Sequence, residues 1–143
     1  MTVVDFYVNA ADRERLACRL AAKAAAQGRR ILVLAPDPGL AARLDRLMWT
    51  WPPTAFLPHC LASEPLAAET PVLIALDAEP PSGCPVLLNL GAECPPQLDR
   101  YERVLEVVGA DEEERRRGRA RYAAYRERGY PIRTHDLAGK SLA

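Results

Sequence analysis

Residues 29–35 read RRILVLA. The five consecutive apolar side chains of ILVLA leave neither face of an extended segment polar. A strand that is apolar on both faces belongs in the middle of a sheet covered on both sides, the pattern of a parallel α/β arrangement. Upstream, residues 2–8 (TVVDFYV) are β-branched and aromatic and read as a strand. Between the two runs, Asp12 can cap a helix reaching about Gln27, with Leu16, Leu20 and Ala24 at helical spacing and Gly28 just past its end. Downstream, Pro36-Asp37-Pro38-Gly39 is a turn. A second helix is expected from about Leu40 to Trp49, burying Leu40, Leu44, Leu47 and Met48. The β-α-β-α order predicts a sheet with helices packed on it. Residues 71–76 (PVLIAL), 85–90 (PVLLNL) and 102–109 (ERVLEVVG) are further strands, the early part of the last having some helical character. Residues 111–128 form a third long helix. The fold class is α/β, with a mostly parallel central sheet flanked by helices.

The chain has 143 residues, a length that fits one domain over 1–143, and 49% of them are hydrophobic, enough for a packed core. With 19 Lys and Arg against 19 Asp and Glu, the formal net charge is zero. That argues against a nonspecific nucleic-acid coat protein. No apolar run approaches the ~20 residues of a membrane span. Residues 1–10 carry Asp5 and Asn9 and no basic region, unlike a secretory signal, so a cytoplasmic location and no membrane partner are expected. Cys18, Cys60, Cys84 and Cys94 are scattered without CxxC spacing, which points to free thiols in a reducing compartment and to no metal.

The enzyme classes common on such folds lack their motifs. After Val8 the chain reads NAADRER, without glycine. After Ala35 it reads PDPGLA, with one glycine, no Lys-Ser/Thr and two prolines that remove backbone donors. Neither a Walker loop nor a dinucleotide fingerprint is present, and no nucleotide cofactor is expected. No GxSxG elbow occurs, and His59-Cys60 is a dipeptide, whereas a catalytic pair meets in space. His135 reads as a capping or surface residue. The acids of Asp111-Glu112-Glu113-Glu114 stand at a helix start, where the dipole favours negative charge.

Two features stand out. In the third helix, Arg115, Arg119, Tyr122 and Arg126 are spaced i, i+4, i+7 and i+11 and share one face. Guanidinium groups can hold carboxylates bidentately while the ring packs on an apolar group. A solvated face, a seat for a short acidic peptide carrying an aromatic residue, and a seat for a nucleic-acid backbone all fit this pattern. The second feature is residues 44–62, LDRLMWTWPPTAFLPHCLA, where Trp49, Trp51 and Phe56 concentrate in a chain only 6% aromatic. They form either a satellite cluster over one end of the sheet or an exposed patch for a partner protein.

Taken in order, LDRLMWTWPPTAFLPH, the strand PVLIAL and the helix RARYAAYRERGY resemble the chi subunit of bacterial DNA polymerase III, over nearly the whole chain. The resemblance implies a noncatalytic subunit with a Rossmann-like, three-layer α/β fold. It implies two partners, the psi subunit, which links chi to the clamp loader, and the acidic C-terminal tail of single-stranded DNA-binding protein, which ends in Pro-Phe. DNA contact would be mainly indirect. On this resemblance the tail site includes Val108, Arg115, Arg119 and Tyr122, the arginines neutralising carboxylates while Val108 and Tyr122 flank the Phe ring. The family can carry lysine after that tyrosine, where this chain has Ala123, so one charge contact is either lost or supplied by Arg126. Trp49, Phe56 and Pro58 match the segment that contacts psi or an alternative helicase partner. The rival expectation from the residues alone is direct binding of single-stranded DNA by the arginine helix.

Overall fold

The apolar strands do assemble side by side. A computed structural model describes residues 2–50, 59–61, 70–77, 84–96 and 98–138. Along the chain these form β1 (Val3–Ala10), α1 (Arg13–Ala26), β2 (Ile31–Leu34), α2 (Pro38–Thr50), β3 (His59–Leu61), β4 (Val72–Ala75), β5 (Val86–Asn89), a 3-10 turn (Leu98–Arg100), β6 (Arg103–Gly109), α3 (Glu112–Glu127) and β7 (Ile132–Asp136). Among the described residues the sheet has seven strands in the order β3-β4-β2-β5-β6-β1-β7, and every pairing is parallel. All four residues of β2 are buried, and the strand lies between β4 and β5 as its two-faced apolar run requires.

Alternation along the strands feeds two core layers. Ile31, Val33, Ile74, Leu88 and Val107 point to the layer covered by α1 and α2. Leu32, Leu34, Leu73, Leu87 and Val104 point to the layer that Tyr125 of α3 covers. The result is the three-layer, Rossmann-like α/β arrangement. Asp12 caps α1, its side chain accepting from the Arg15 amide, and Gly28 follows the helix with φ of 74°. The helix α2 begins at Pro38, two residues earlier than expected. Proline at a first helical position lacks only a donor that would be unsatisfied anyway, and Asp37 accepts from the Gly39 amide at 3.1 Å. Within α2, Leu40, Leu44 and Met48 are buried, whereas Leu47 is only partly buried against the core. Residues 103–109 are extended throughout. The helical character expected for the early part of residues 102–109 is absent; the 3-10 turn Leu98–Arg100 lies before that segment.

Two strands were not expected. The β7 strand reads IRTHD, with one apolar residue, yet it pairs with β1 along its length. The short β3 borders β4 at the other edge. Residues 51–58, which include Phe56 and Pro58, lie outside the described residues. Among those described, no helix is long and apolar enough to cross a membrane, and no group of His, Cys, Asp and Glu could hold a metal ion.

Candidate functional site

A groove of about 440 Å³ runs between α3 and the β1–β7 edge of the sheet. Its arginine side carries Arg115 and Arg119, and its apolar side carries Phe6, Val108 and Tyr122. Three of the residues at helical spacing thus meet in one place, with Val108 of β6 beneath them. Arg126 lies further along α3, exposed, and does not line this groove.

Gly118 sets the depth of the groove. A Cβ there would sit 2.8 and 2.9 Å from the two γ-methyls of Val108, so the helix rests on the sheet where only hydrogen fits. Val108 is 3% exposed. Tyr122 packs its ring on Phe6, centroids 5.4 Å apart and planes tilted by 60°. The apolar floor therefore comes from three elements. Asn9 closes one end, held at φ of 60° in the irregular end of β1 and donating to Asp136 at 2.8 Å. Thr134 of β7 completes the wall.

The sequence reading missed Phe6, Val8, Asn9, Gly118 and Thr134. Phe6, Val8 and Asn9 come from β1, about a hundred residues before α3 in the chain, and Thr134 comes from β7, the strand that follows α3. One signal was available: a glycine inside an otherwise strong helical stretch costs about 1 kcal/mol and marks a close approach.

Charges on α3 are partly spent. Glu113 pairs with Arg116 at 2.5 Å and with Arg117 at 3.0 Å, on the solvent side. Glu112 reaches Arg119 at 3.3 Å, with both side chains well exposed. Among the described residues Arg115 has no ion pair. The groove thus presents, among the described residues, one unpaired guanidinium, and a second whose one ion-pair partner is an exposed carboxylate that an incoming anion can displace.

A buried polar network fastens α3 to the sheet behind the groove. Glu106 of β6 is fully buried and accepts from Arg121 Nε at 2.9 Å and from Asn89 at 2.9 Å, and Tyr125 donates its hydroxyl to the same carboxylate. Burial pushes the Glu106 carboxyl above the usual range, against the opposing pull of Arg121, Tyr125 and Asn89. Burial and the neighbouring Glu106 push the Tyr125 hydroxyl up as well. Arg121 also donates to the Ala92 carbonyl at 3.1 Å. Because Arg121 and Tyr125 point inward, Tyr122 is turned toward the groove.

The aromatic segment is described only in part. Trp49, at the end of α2, is 58% exposed and meets the ring of the buried His59 edge-on, centroids 4.8 Å apart. His59 in turn contacts the Asp45 carboxylate at 3.2 Å. Nearby, an apolar recess of about 640 Å³ opens between α2 and the ends of β3 and β4, with Leu61 and Leu76 on its rim. Cys18 and Cys84 are buried, and burial pushes their thiols up to about 12 and about 11, far from reactive thiolates.

A family model described as DNA polymerase III chi subunit, HolC, matches residues 1–133. The chain is similar to the DNA polymerase III subunit chi of Pseudomonas aeruginosa, 38% identical over 141 residues that cover 96% of this chain and 98% of that protein. It is also similar to the subunit chi of Escherichia coli K12, 31% identical over 85% of this chain and 83% of that protein. A third relative, the subunit chi of Haemophilus influenzae, is 27% identical over 87% of each chain.

Proposed function

The chain belongs to the DNA polymerase III chi subunit family, an accessory subunit in DNA replication, and from that premise we propose that it is a noncatalytic tether. It would bind the acidic C-terminal tail of single-stranded DNA-binding protein and join it to the psi subunit of the polymerase. The observation that carries this reading is the groove beside α3, with arginines on one side of an apolar slot. A peptide ending in an aromatic residue with a free carboxylate needs both at once. Its ring packs on Val108, Tyr122 and Phe6, and its carboxylates take the forks of Arg115 and Arg119. Arg126, one turn on, is available to acidic residues further up the tail. Binding alone performs this function, so no cofactor is required. The work is done by one cytoplasmic domain over residues 1–143.

For the second partner, Trp49 is the described one of the three residues expected to contact it, Phe56 and Pro58 lying outside the described residues. Its exposure and the neighbouring apolar recess are what a docked helix or strap would cover.

The test is anisotropy of a labelled acidic peptide ending in Pro-Phe, at low and moderate salt. Saturable binding is expected, weaker in salt and lost with the final Phe. Arg119→Glu should abolish it while leaving the melting transition in place, because Arg119 is exposed. Removing one charged hydrogen bond is worth about 1.5–3 kcal/mol, or about tenfold and more in Kd. Binding that ignores the terminal Phe would defeat the reading. The rival reading, DNA on the α3 arginines, is weakened by the helix's own acids, which already pair Arg116, Arg117 and Arg119.

A further inference from the structure

The chain is neutral as a whole, but its charges are not evenly placed. At the edge where the strands begin, Lys23 near the end of α1, Arg29 before β2 and Arg103 at the start of β6 line a cleft of about 90 Å³, with Tyr7, Val86 and Leu105 beneath. Among the described residues no carboxylate lines this cleft. Two acids stand just outside it. Glu102 is an exposed partner of Arg29 at 3.3 Å. Asp5 is fully buried and takes Arg103 at 2.7 Å, Arg133 at 2.8 Å and His135 at 3.1 Å. One buried carboxylate thus serves two guanidinium groups, and the local balance of Lys23, Arg29, Arg103 and Arg133 against Asp5 and Glu102 is positive.

Lys23 is exposed at the cleft and has no ion pair among the described residues, so its ammonium is free to meet an incoming oxyanion.

We propose that this cleft binds a phosphate group of a single-stranded DNA backbone. Its size suits one tetrahedral oxyanion and excludes the large side chain that would anchor a peptide. Guanidinium forks together with a lysine point charge are the groups that hold phosphate. Further cations stand along the same edge, Arg100 in the 3-10 turn and Arg128 at the end of α3, as a polymer with one charge per unit requires. The groove beside α3 lies toward the opposite edge, where the strands end. The inference therefore goes beyond the tail reading and does not depend on it.

Anisotropy of labelled oligothymidylate tests it, with no binding protein present. Expected is weak, saturable binding that falls steeply with salt and is about tenfold or more weaker in the double variant Lys23→Glu, Arg29→Glu. Arg119→Glu should leave it unchanged, and the double variant should still bind the Pro-Phe peptide, which reports its fold. If charge reversal prevents folding, Lys23→Gln with Arg29→Gln should weaken binding several-fold in the same sense. The proposal is overturned if oligothymidylate does not bind at low salt. It is equally overturned if the loss appears with Arg119→Glu instead, or if labelled polyglutamate binds as tightly.

Discussion

Asp5 and Glu106 are both buried carboxylates on neighbouring strands, and their surroundings drive them in opposite directions. For Asp5 burial raises the pKa, but hydrogen bonds from Arg133, Arg103 and His135 outweigh it and hold the carboxyl below the ordinary range. For Glu106 burial wins and the carboxyl stays above it. The two therefore contribute to stability with opposite pH dependence. The Asp5 contribution is present above its unfolded pKa and disappears as pH falls through the depressed folded value. The Glu106 contribution is present below its unfolded pKa and disappears as pH rises through the elevated folded value. Asp5→Asn should cost about 2 kcal/mol at neutral pH, less than a fully buried pair, because Arg103 and Arg133 can reach water. In urea melts across pH, its difference from the parent protein should shrink below about pH 4. Arg121→Leu leaves Glu106 buried without its cation and should cost about 3 kcal/mol or more. That deficit should grow as pH rises through and above the parent's elevated folded Glu106 pKa, where the parent's carboxyl ionises beside Arg121 and the variant's cannot, and a deficit independent of pH would mean that Glu106 is not the group responsible.

At the scale of the element, legibility followed the amount of periodic apolar pattern a segment carries. The helix α1 was readable to within a residue because Asp12 and Gly28 punctuate it. The strand β2 was readable because both of its faces are buried. The β7 strand was not, since Arg133 and His135 face Asp5, a residue more than a hundred positions away, and polar partners leave no hydrophobic alternation. The same limit applies to the groove. Helical spacing found Arg115, Arg119 and Tyr122, but no local rule joins them to Phe6 or Thr134.

How α3 is seated can be tested directly. Its start is fixed by Asp111, which accepts from the Glu114 amide at 2.8 Å, and by Glu114, which pairs with Arg13 of α1 at 2.9 Å. Its middle is fixed by Gly118 on Val108. Gly118→Ala would improve helix propensity in isolation, by up to about 1 kcal/mol. Here the added methyl must displace Val108 or lift the helix, and overpacking of this kind costs about 1–3 kcal/mol. The prediction is a net loss of stability in denaturant together with weaker binding of the Pro-Phe peptide, because Val108 is the slot's floor. A Gly118→Ala protein that is more stable than its parent, with peptide binding intact, would mean that the helix does not press on the sheet as described.

For the whole molecule the decisive feature is that the two candidate sites occupy opposite edges of one parallel sheet. Such a sheet has a directional geometry: strands all begin at one edge and end at the other, and each crossover helix starts where its preceding strand ended. The α3 groove, with Asn9, Val108 and Arg115, lies toward the ends, and the cleft of Lys23, Arg29 and Arg103 lies at the beginnings. The two do not share a side chain, so their ligands should not compete. In titrations, the Kd of the Pro-Phe peptide should be unchanged, within about twofold, by saturating oligothymidylate, as expected for sites without coupling. When tail and strand are presented together, on DNA coated by single-stranded DNA-binding protein, the second contact becomes intramolecular and is governed by effective concentration. Affinity for the coated strand should then exceed that for the free peptide. Lys23→Glu with Arg29→Glu should lower it toward the peptide value while leaving the isolated peptide's Kd alone. Competition between peptide and oligothymidylate would place both ligands on α3, and the neutral net charge would then conceal a single site instead of two.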